Sequence, residues 1–262
     1  MSQYCSEHML GKNFHIFDQH PFLQEVMSIA GSPGCIQPLL SIYVNKAYDL
    51  LLSFALNEVL TSKAKETETR MIESTEKGIA KFQGFDRNQK FVVLDLARAG
   101  TEPSLTCFNS LNLIFDPKGI RQDHIYVNRA VDENGKVCGV NMSGSKIGGD
   151  FQDSIVIIPD PMGATGGSIV QTVKFLKDNY NCDGATFVII HLVITPEYVL
   201  KVRAQQPNIE VFSVRYDRGL SSQEVLNLPF GKNIEQERGL NDIDYIVPGA
   251  GGMGEVLNNS FV

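Results

Sequence analysis

Short apolar runs alternate with helical patterns from residue 91 onward, and that alternation leaves few folds open. Phe91-Val92-Val93-Leu94 and the segments 155–158, 187–194 and 209–214 are apolar almost throughout. Runs of this kind are strands buried on both faces, because a strand with one wet face would alternate apolar and polar residues. Between them lie helical signals. Pro103 opens a helix through Leu105, Phe108 and Leu111 that stops at the turn Asp116-Pro117-Lys118-Gly119. Val170, Val173 and Leu176 line one face of a second helix, and Thr195-Pro196 provides an N-cap and first residue for a third. Strand, helix, strand repeated in this order predicts an α/β fold, a parallel sheet flanked by helices, with ligands at the carboxyl ends of the strands.

Two further elements extend this frame. A strand from His124 through Val127 toward Val131 is followed by Asn134-Gly135 and a second run over 137–142. Asn-Gly suits the positive φ values of a type I′ turn, so the expectation is a β-hairpin arm. Upstream, Tyr43, Ala47, Leu50, Leu51 and Phe54 share one helical face, predicting a helix from about residue 40 into segment 62–77, whose Lys, Glu and Thr read as its solvated face.

Composition narrows the setting. With 262 residues and 43% hydrophobic content, the chain can bury one substantial core, so a single domain over 1–262 is expected, with an N-terminal extension at 1–19. Its five cysteines are scattered and never spaced as Cys-x-x-Cys, which argues for a reducing cytoplasm over a disulfide framework or a zinc site. A formal charge of −7 argues against nucleic acid as a partner. Glu7 and His8 interrupt any leader-like start, and segment 187–194 is far too short to span a bilayer, so no membrane association is expected.

The chemistry concentrates after the run 155–158, where Pro159-Asp160-Pro161-Met162-Gly163-Ala164-Thr165-Gly166-Gly167-Ser168 leads into a helix. N–H groups at a helix start have no intrahelical acceptor and carry partial positive charge, so they can hold a phosphate, and glycine lets the backbone approach it closely. Thr165 and Ser168 add hydroxyl donors. Asp160 is repelled by phosphate but can accept from sugar hydroxyls or from a magnesium shell. The loop lacks the Gly-Lys-Ser/Thr ending of a P-loop and is not Gly-x-Gly-x-x-Gly.

This loop resembles the phosphoribosyl pyrophosphate loop of uracil phosphoribosyltransferases, Asp-Pro-Met-Leu-Ala-Thr-Gly-Gly-Ser, with only Gly163 departing. His20-Pro21-Phe22, the strand ending Leu96-Ala97-Arg98-Ala99-Gly100, Thr195-Pro196-Glu197, Asp217-Arg218-Gly219-Leu220 and Tyr245-Ile246-Val247-Pro248-Gly249-Ala250-Gly251 resemble that family's segments in the same order. The resemblance implies a type I phosphoribosyltransferase fold with a C-terminal base-binding hood. It implies binding of phosphoribosyl pyrophosphate by Arg98, Arg129 and residues 160–168 (Asp160, Pro161, Met162, Gly163, Ala164, Thr165, Gly166, Gly167 and Ser168), with Asp160, Arg98 and Arg129 as the catalytic groups. Uracil would meet Ile246, Val247, Gly249, Gly251, Gly252 and Met253. Magnesium on the diphosphate and a homodimer or higher homo-oligomer are further implications.

Departures from the family matter as much. Its Gly-Asp-Ala-Gly-Asp appears here as Gly251-Gly252-Met253-Gly254-Glu255, so the carboxylate attributed to holding the phosphoribosyl substrate is missing at 252, and Glu255 is expected to be too far along the chain to replace it. Ser53-Phe54-Ala55-Leu56 stands near the family's Tyr-Glu-Ala-Thr. A surface insertion over about 221–237 separates two copies of Arg-Gly-Leu, and the second, followed by Asn241, is the better match to the segment before the base pocket. His191, within an apolar strand, reads as a core residue. Two functions are compatible with this pattern: transfer of ribose 5-phosphate to uracil or another base, and a non-catalytic relative that binds phosphoribosyl pyrophosphate or a nucleotide as a regulatory subunit.

Overall fold

The computed structural model describes residues 2–6, 8–131 and 137–260, the side chains of Ser2 and of 128–141 excepted. In chain order the elements are β1 (Phe14–Ile16), α1 (Pro21–Ala30), α2 (Leu39–Val59), β2 (Lys63–Glu68), β3 (Ile79–Gly84), β4 (Phe91–Ala97), α3 (Thr101–Ile114), β5 (Ile120–Val131), β6 (Val137–Lys146), β7 (Ile155–Pro159), β8 (Met162–Gly163), α4 (Gly167–Asn179), β9 (Thr186–Ile194), α5 (Pro196–Gln205), β10 (Glu210–Tyr216), α6 (Gln223–Leu226) and α7 (Met253–Leu257).

The main sheet runs β1-β10-β9-β7-β4-β5-β6, with β8 added to β9; every pairing is parallel except β5 with β6. The apolar runs are its central strands, and β7 is buried at every position. Alternate residues sort into two cores. Phe91, Val93, Ile157, Val188 and Ile190 face α1, α2 and α3. Val92, Leu94, Val156, Ile158 and Ile189 face α4 and α5. Burying each of these side chains contributes about 1.5–3 kcal/mol, so the layers exist because the strands have two faces to cover.

The chain leaves β4 through α3 to β5 on one side, then returns to β7 on the other side of β4. The turns after β4 and β7 therefore diverge at their carboxyl ends, the crevice where open α/β sheets bind ligands.

Two expectations need correction. The helix from about residue 40 ends at Val59, and segment 62–77 is not its solvated face: β2 and β3 form an exposed antiparallel hairpin in which Glu66 lies opposite Lys81 and Lys65 opposite Phe82. Alternating charge and Thr along Lys63-Ala64-Lys65-Glu66-Thr67-Glu68 suits cross-strand pairing, which supplies what this strand lacks in buried surface. Residues 14–16 of the expected extension are a strand at the sheet edge, joined to β10. Segment 221–237 is largely exposed and is pinned inward at Val225, Gly231 and Glu237. Glu237, fully buried, accepts from Arg218 at 2.7 Å and from the Gly231 N–H at 3.0 Å, and bonds the Tyr216 hydroxyl.

The expected arm is present as β5 paired antiparallel with β6, although the Asn134-Gly135 turn itself lies outside the described residues. Among the described residues, α2 is the one helix whose length and hydropathy would allow it to cross a bilayer, and here Val44, Ala47, Tyr48 and Leu51 pack it into the core.

Candidate active site

The segment after β7 is fixed almost entirely by backbone bonds to β9. The Asp160 N–H donates to the Ile190 carbonyl at 3.0 Å, and the Pro161 carbonyl accepts from Leu192 at 3.0 Å and Val193 at 3.2 Å. β8 then pairs with Val193 and Ile194. Thr195, while capping α5 through the Tyr198 N–H, donates its hydroxyl to the Ala164 carbonyl at 2.6 Å. The loop is thus held from beneath, leaving its upper surface open.

Gly166 caps α4 at φ 75°, a left-handed conformation that glycine adopts without strain. Gly167 N–H donates to the Thr165 hydroxyl at 3.3 Å, whereas the N–H groups of Ser168 and Ile169 find no acceptor among the described residues. Open donors at the positive end of a three-turn helix, at the mouth of a cleft, form an anion cradle.

Beneath the loop, His191 and Tyr198 form a buried pillar. His191 Nδ1 lies 2.5 Å from the Asp160 carbonyl and Nε2 lies 2.9 Å from the Tyr198 hydroxyl. A carbonyl only accepts, so Nδ1 carries the hydrogen and the tyrosine hydroxyl donates to Nε2. Burial pushes the imidazole pKa down to about 4, keeping it neutral. The pillar also explains Gly163: a Cβ there would lie 2.8 Å from Ile194 Cγ2, 3.1 Å from Tyr198 Cδ2 and 3.2 Å from His191 Cδ2. A leucine here, the residue of the family's loop, would have to displace these side chains. His191 is the satisfied core residue that its apolar strand suggests, while the role of Tyr198 had no local signal.

Arg98 sits in the turn after β4, exposed, with Nη1 donating to the Ser260 hydroxyl at 2.6 Å. A cleft of about 390 Å³ joins this turn to Asp160, Met162, Ser168, Ile246, Gly252 and Glu255. A smaller recess at the loop shares Asp160, Ser168 and Asp244 with it. Asp160, Arg98 and the loop therefore share one cleft. Arg129 lies on β5 by its backbone, and its side chain falls outside the described residues.

The C-terminal hood is divided in function. Ile246, Gly251, Gly252 and Met253 line the cleft. Val247 and Gly249 do not; their backbone groups hold the hood to the body. Val247 N–H donates to the Gly239 carbonyl at 2.8 Å and its carbonyl accepts from Gly219 at 2.9 Å. Gly249, at φ 59° and with Ile246 O 2.2 Å from where a Cβ would stand, donates to Asp217 Oδ2 at 2.8 Å and accepts from Arg215 at 2.9 Å. Arg215 and Asp217 are themselves a two-pronged pair at 3.0 and 2.6 Å. Glu197 accepts from the Gly239 and Leu240 N–H groups at 3.1 and 3.3 Å, anchoring the second Arg-Gly-Leu copy as it enters the hood. Arg218, of the first copy, is buried against Glu237 and away from the cleft. Asp217 and Glu197 stood in recognisable segments, but their work as clamps required the fold.

Comparison with known proteins agrees with this geometry. The uracil phosphoribosyltransferase family model matches residues 17–231. A uracil phosphoribosyltransferase of Ligilactobacillus salivarius is 28% identical over 249 residues, covering 95% of this chain and 98% of its own length. One from Burkholderia multivorans is 29% identical over 208 residues, covering 79% and 78%. The solved structure of the AQ2163 protein from Aquifex aeolicus superposes with a TM-score of 0.67 at 20% identity, covering 93% of this chain and 97% of that one, which is a likeness of fold. Because the family model spans most of the chain, this protein is a member of the uracil phosphoribosyltransferase family, a group of pentosyltransferases with the type I phosphoribosyltransferase fold.

Proposed function

We propose that the cleft transfers the ribose 5-phosphate group of phosphoribosyl pyrophosphate to N1 of uracil, giving uridine monophosphate and pyrophosphate. The observation that carries this reading is the open anion cradle at the start of α4, which shares one cleft with the Arg98 turn and the hood. The 5-phosphate binds the N–H groups of the loop, and Asp160 accepts from the ribose hydroxyls. As the C1–O bond breaks, C1 becomes oxocarbenium-like and the bonding pair leaves with pyrophosphate; uracil N1 then bonds to C1 and its proton passes to the departing pyrophosphate or to water. Arg98 exchanges Ser260 for the leaving diphosphate, joined by Arg129. Ile246 and the Gly251-Gly252-Met253 backbone present fixed donors and acceptors to the base, and a rigid set of that kind rejects bases with the wrong edge.

No group of three or more His, Cys, Asp or Glu close enough to hold a metal occurs among the described residues. The cleft does present hard oxygen donors in Asp160 and Glu255, which fits magnesium arriving on the diphosphate rather than in a protein cage. Bound there, magnesium would neutralise charge on the leaving group.

Gly252 supports a second reading, a relative that binds the substrate without turning it over. A magnesium-dependent assay with labelled uracil and phosphoribosyl pyrophosphate, beside binding calorimetry, separates the two. Labelled uridine monophosphate supports transfer, binding without product supports the second reading, and absence of binding refutes both.

A further inference from the structure

At Gly252 the cleft lacks a side chain, but the space is not empty. A Cβ placed on Gly252 would lie 2.5 Å from Glu255 Oε2 and 3.1 Å from its carboxyl carbon. An aspartate carboxylate begins about 1.5 Å beyond Cβ, one carbon–carbon bond, so the Glu255 carboxylate occupies the region that an aspartate at 252 would fill.

Helix geometry explains how a residue three positions along reaches it. Gly252 caps α7, and the Glu255 N–H donates to the Gly252 carbonyl at 3.0 Å. Helical side chains tilt toward the N-terminus, so a residue at i+3 lies over the one at i, and the longer glutamate stem covers the remaining gap. The expectation that Glu255 stands too far along the chain is corrected on this ground.

Glu255 is half-buried, lines the cleft, and its carboxylate has no hydrogen-bond or ion-pair partner among the described residues. Partial burial of a carboxylate without a partner is unfavourable unless a ligand completes it. Its surroundings say which end of a ligand that would be. A Cβ on Gly254 would meet the Ala99 Cβ at 3.0 Å, so α7 is packed on the turn that carries Arg98. Arg98 donates to Ser260 rather than to Glu255. If that turn takes the diphosphate, a carboxylate beside it is repelled by phosphate oxygens directly and is favoured only through a cation or the water on one. Magnesium retains several waters when bound by substrate phosphates, and those waters are strong donors to a carboxylate.

We propose that Glu255 supplies, from its own position in α7, the carboxylate that residue 252 lacks, accepting hydrogen bonds from the water shell of magnesium-bound phosphoribosyl pyrophosphate. This rests on the reading of the cleft as the phosphoribosyl pyrophosphate site. Glu255 acts as a positioning residue for the metal-bound substrate: it stands where the motif has its second aspartate, and its longer stem carries that acid into the space left open at 252.

The test is calorimetric titration of phosphoribosyl pyrophosphate into the full chain, Glu255→Gln, and Gly252→Asp combined with Glu255→Gln, each with magnesium and with EDTA. Melting curves accompany each variant to show that it is folded. Gly252 has φ −78°, so aspartate there meets no left-handed backbone. With magnesium, Glu255→Gln should weaken binding about tenfold, the scale of one charge-assisted hydrogen bond, and the double variant should recover most of that loss. In EDTA, Glu255→Gln should change affinity by no more than about twofold, because the proposed partner is then absent. Unchanged affinity of Glu255→Gln in magnesium overturns the proposal, as does an equal loss in EDTA or a loss that Gly252→Asp fails to recover. A wild-type chain that binds no phosphoribosyl pyrophosphate under either condition overturns the site assignment and the proposal with it, whereas wild-type binding beside an indifferent Glu255→Gln removes the proposal alone.

Discussion

Restoring the family's leucine at position 163 should destabilise this protein, and the structure gives the size and the remedy. A Cβ at Gly163 already falls within 2.8 Å of Ile194 and about 3.1–3.2 Å of Tyr198 and His191, all three of them fully buried. None has an outward path by which to yield. Gly163→Leu adds three carbons beyond that Cβ, so its cost should reach the upper part of the range for overpacked cores, about 3 kcal/mol. Loss of unfolded-chain freedom returns at most about 1 kcal/mol of this. A net loss near 2 kcal/mol corresponds to a melting temperature lower by about 4–8 °C in a chain of this size. The companion change is Tyr198→Leu, which removes the ring that crowds the site. If the ring occupies the missing leucine's volume, the double variant should be more stable than the sum of the two single effects by at least about 1 kcal/mol, as residues in direct contact couple on that scale. Urea unfolding of the four proteins measures the cycle. A neutral Gly163→Leu, or costs that simply add, would show that the pillar does not fill the leucine's place.

Gly166→Val should abolish phosphoribosyl pyrophosphate binding in calorimetry, since φ 75° strains a β-branched residue and its Cβ would meet Tyr198 and Val202 at 3.3–3.4 Å; a folded variant with unchanged affinity would refute the anion cradle. Asp217→Ala should loosen the hood, raising the KM for uracil about tenfold or more while breaking a mostly buried pair with Arg215 at a cost of about 3 kcal/mol; an unaltered KM would mean the hood holds itself. His191 has a folded pKa depressed to about 4 against 6.5 unfolded, so the unfolded chain binds more protons between those values and stability falls as pH drops from 6.5 to 4; His191→Gln should flatten that segment of the denaturation profile. Sedimentation should report a dimer or larger assembly, because beyond Tyr126 the β5–β6 ribbon runs past its last pairing with β4 and a two-stranded ribbon rarely stands unsupported; a monomer over a wide concentration range would count against it.

The sheet was legible because its central strands are buried on both faces, and residues with no polar side have little other use in a chain this size. β4, β7, β9 and β10 fall within three residues of their apolar runs. Elements whose stability comes from neighbours were not legible. β1 has three residues, Phe14-His15-Ile16, too few to show a period, and becomes a strand only because β10 offers an open edge. The hairpin of β2 and β3 buries almost nothing, so no hydrophobic pattern marks it, and its charges suit a helix face equally well until the partner strand is seen. Glu237 reads as one more surface acid in an insertion until Arg218 and Tyr216, about twenty residues earlier, are found against it.

The site divides along the same line, between what contiguous residues do and what folded neighbours do for them. Residues 160–168 were legible because a strand, a glycine turn and a helix start occur in one stretch, and the backbone donors of such a stretch need no distant partner to be aimed. Two departures from the family's motifs, by contrast, are met by a residue at another position. Gly163 is answered by Tyr198, whose ring comes from α5, and Gly252 by Glu255, one helical turn on. In both cases the missing side chain leaves a volume that a neighbour fills with atoms of related character, apolar ring for leucine and carboxylate for aspartate. A position-by-position reading scores both as losses, because it compares identities along the chain and the cleft selects for atoms in space. The two replacements differ in what they demand of the protein. Tyr198 must stay where it is, since its ring and hydroxyl support the loop and His191 together, whereas Glu255 is a flexible side chain with its carboxylate open to the cleft, so the same acceptor delivered from residue 252 should serve as well.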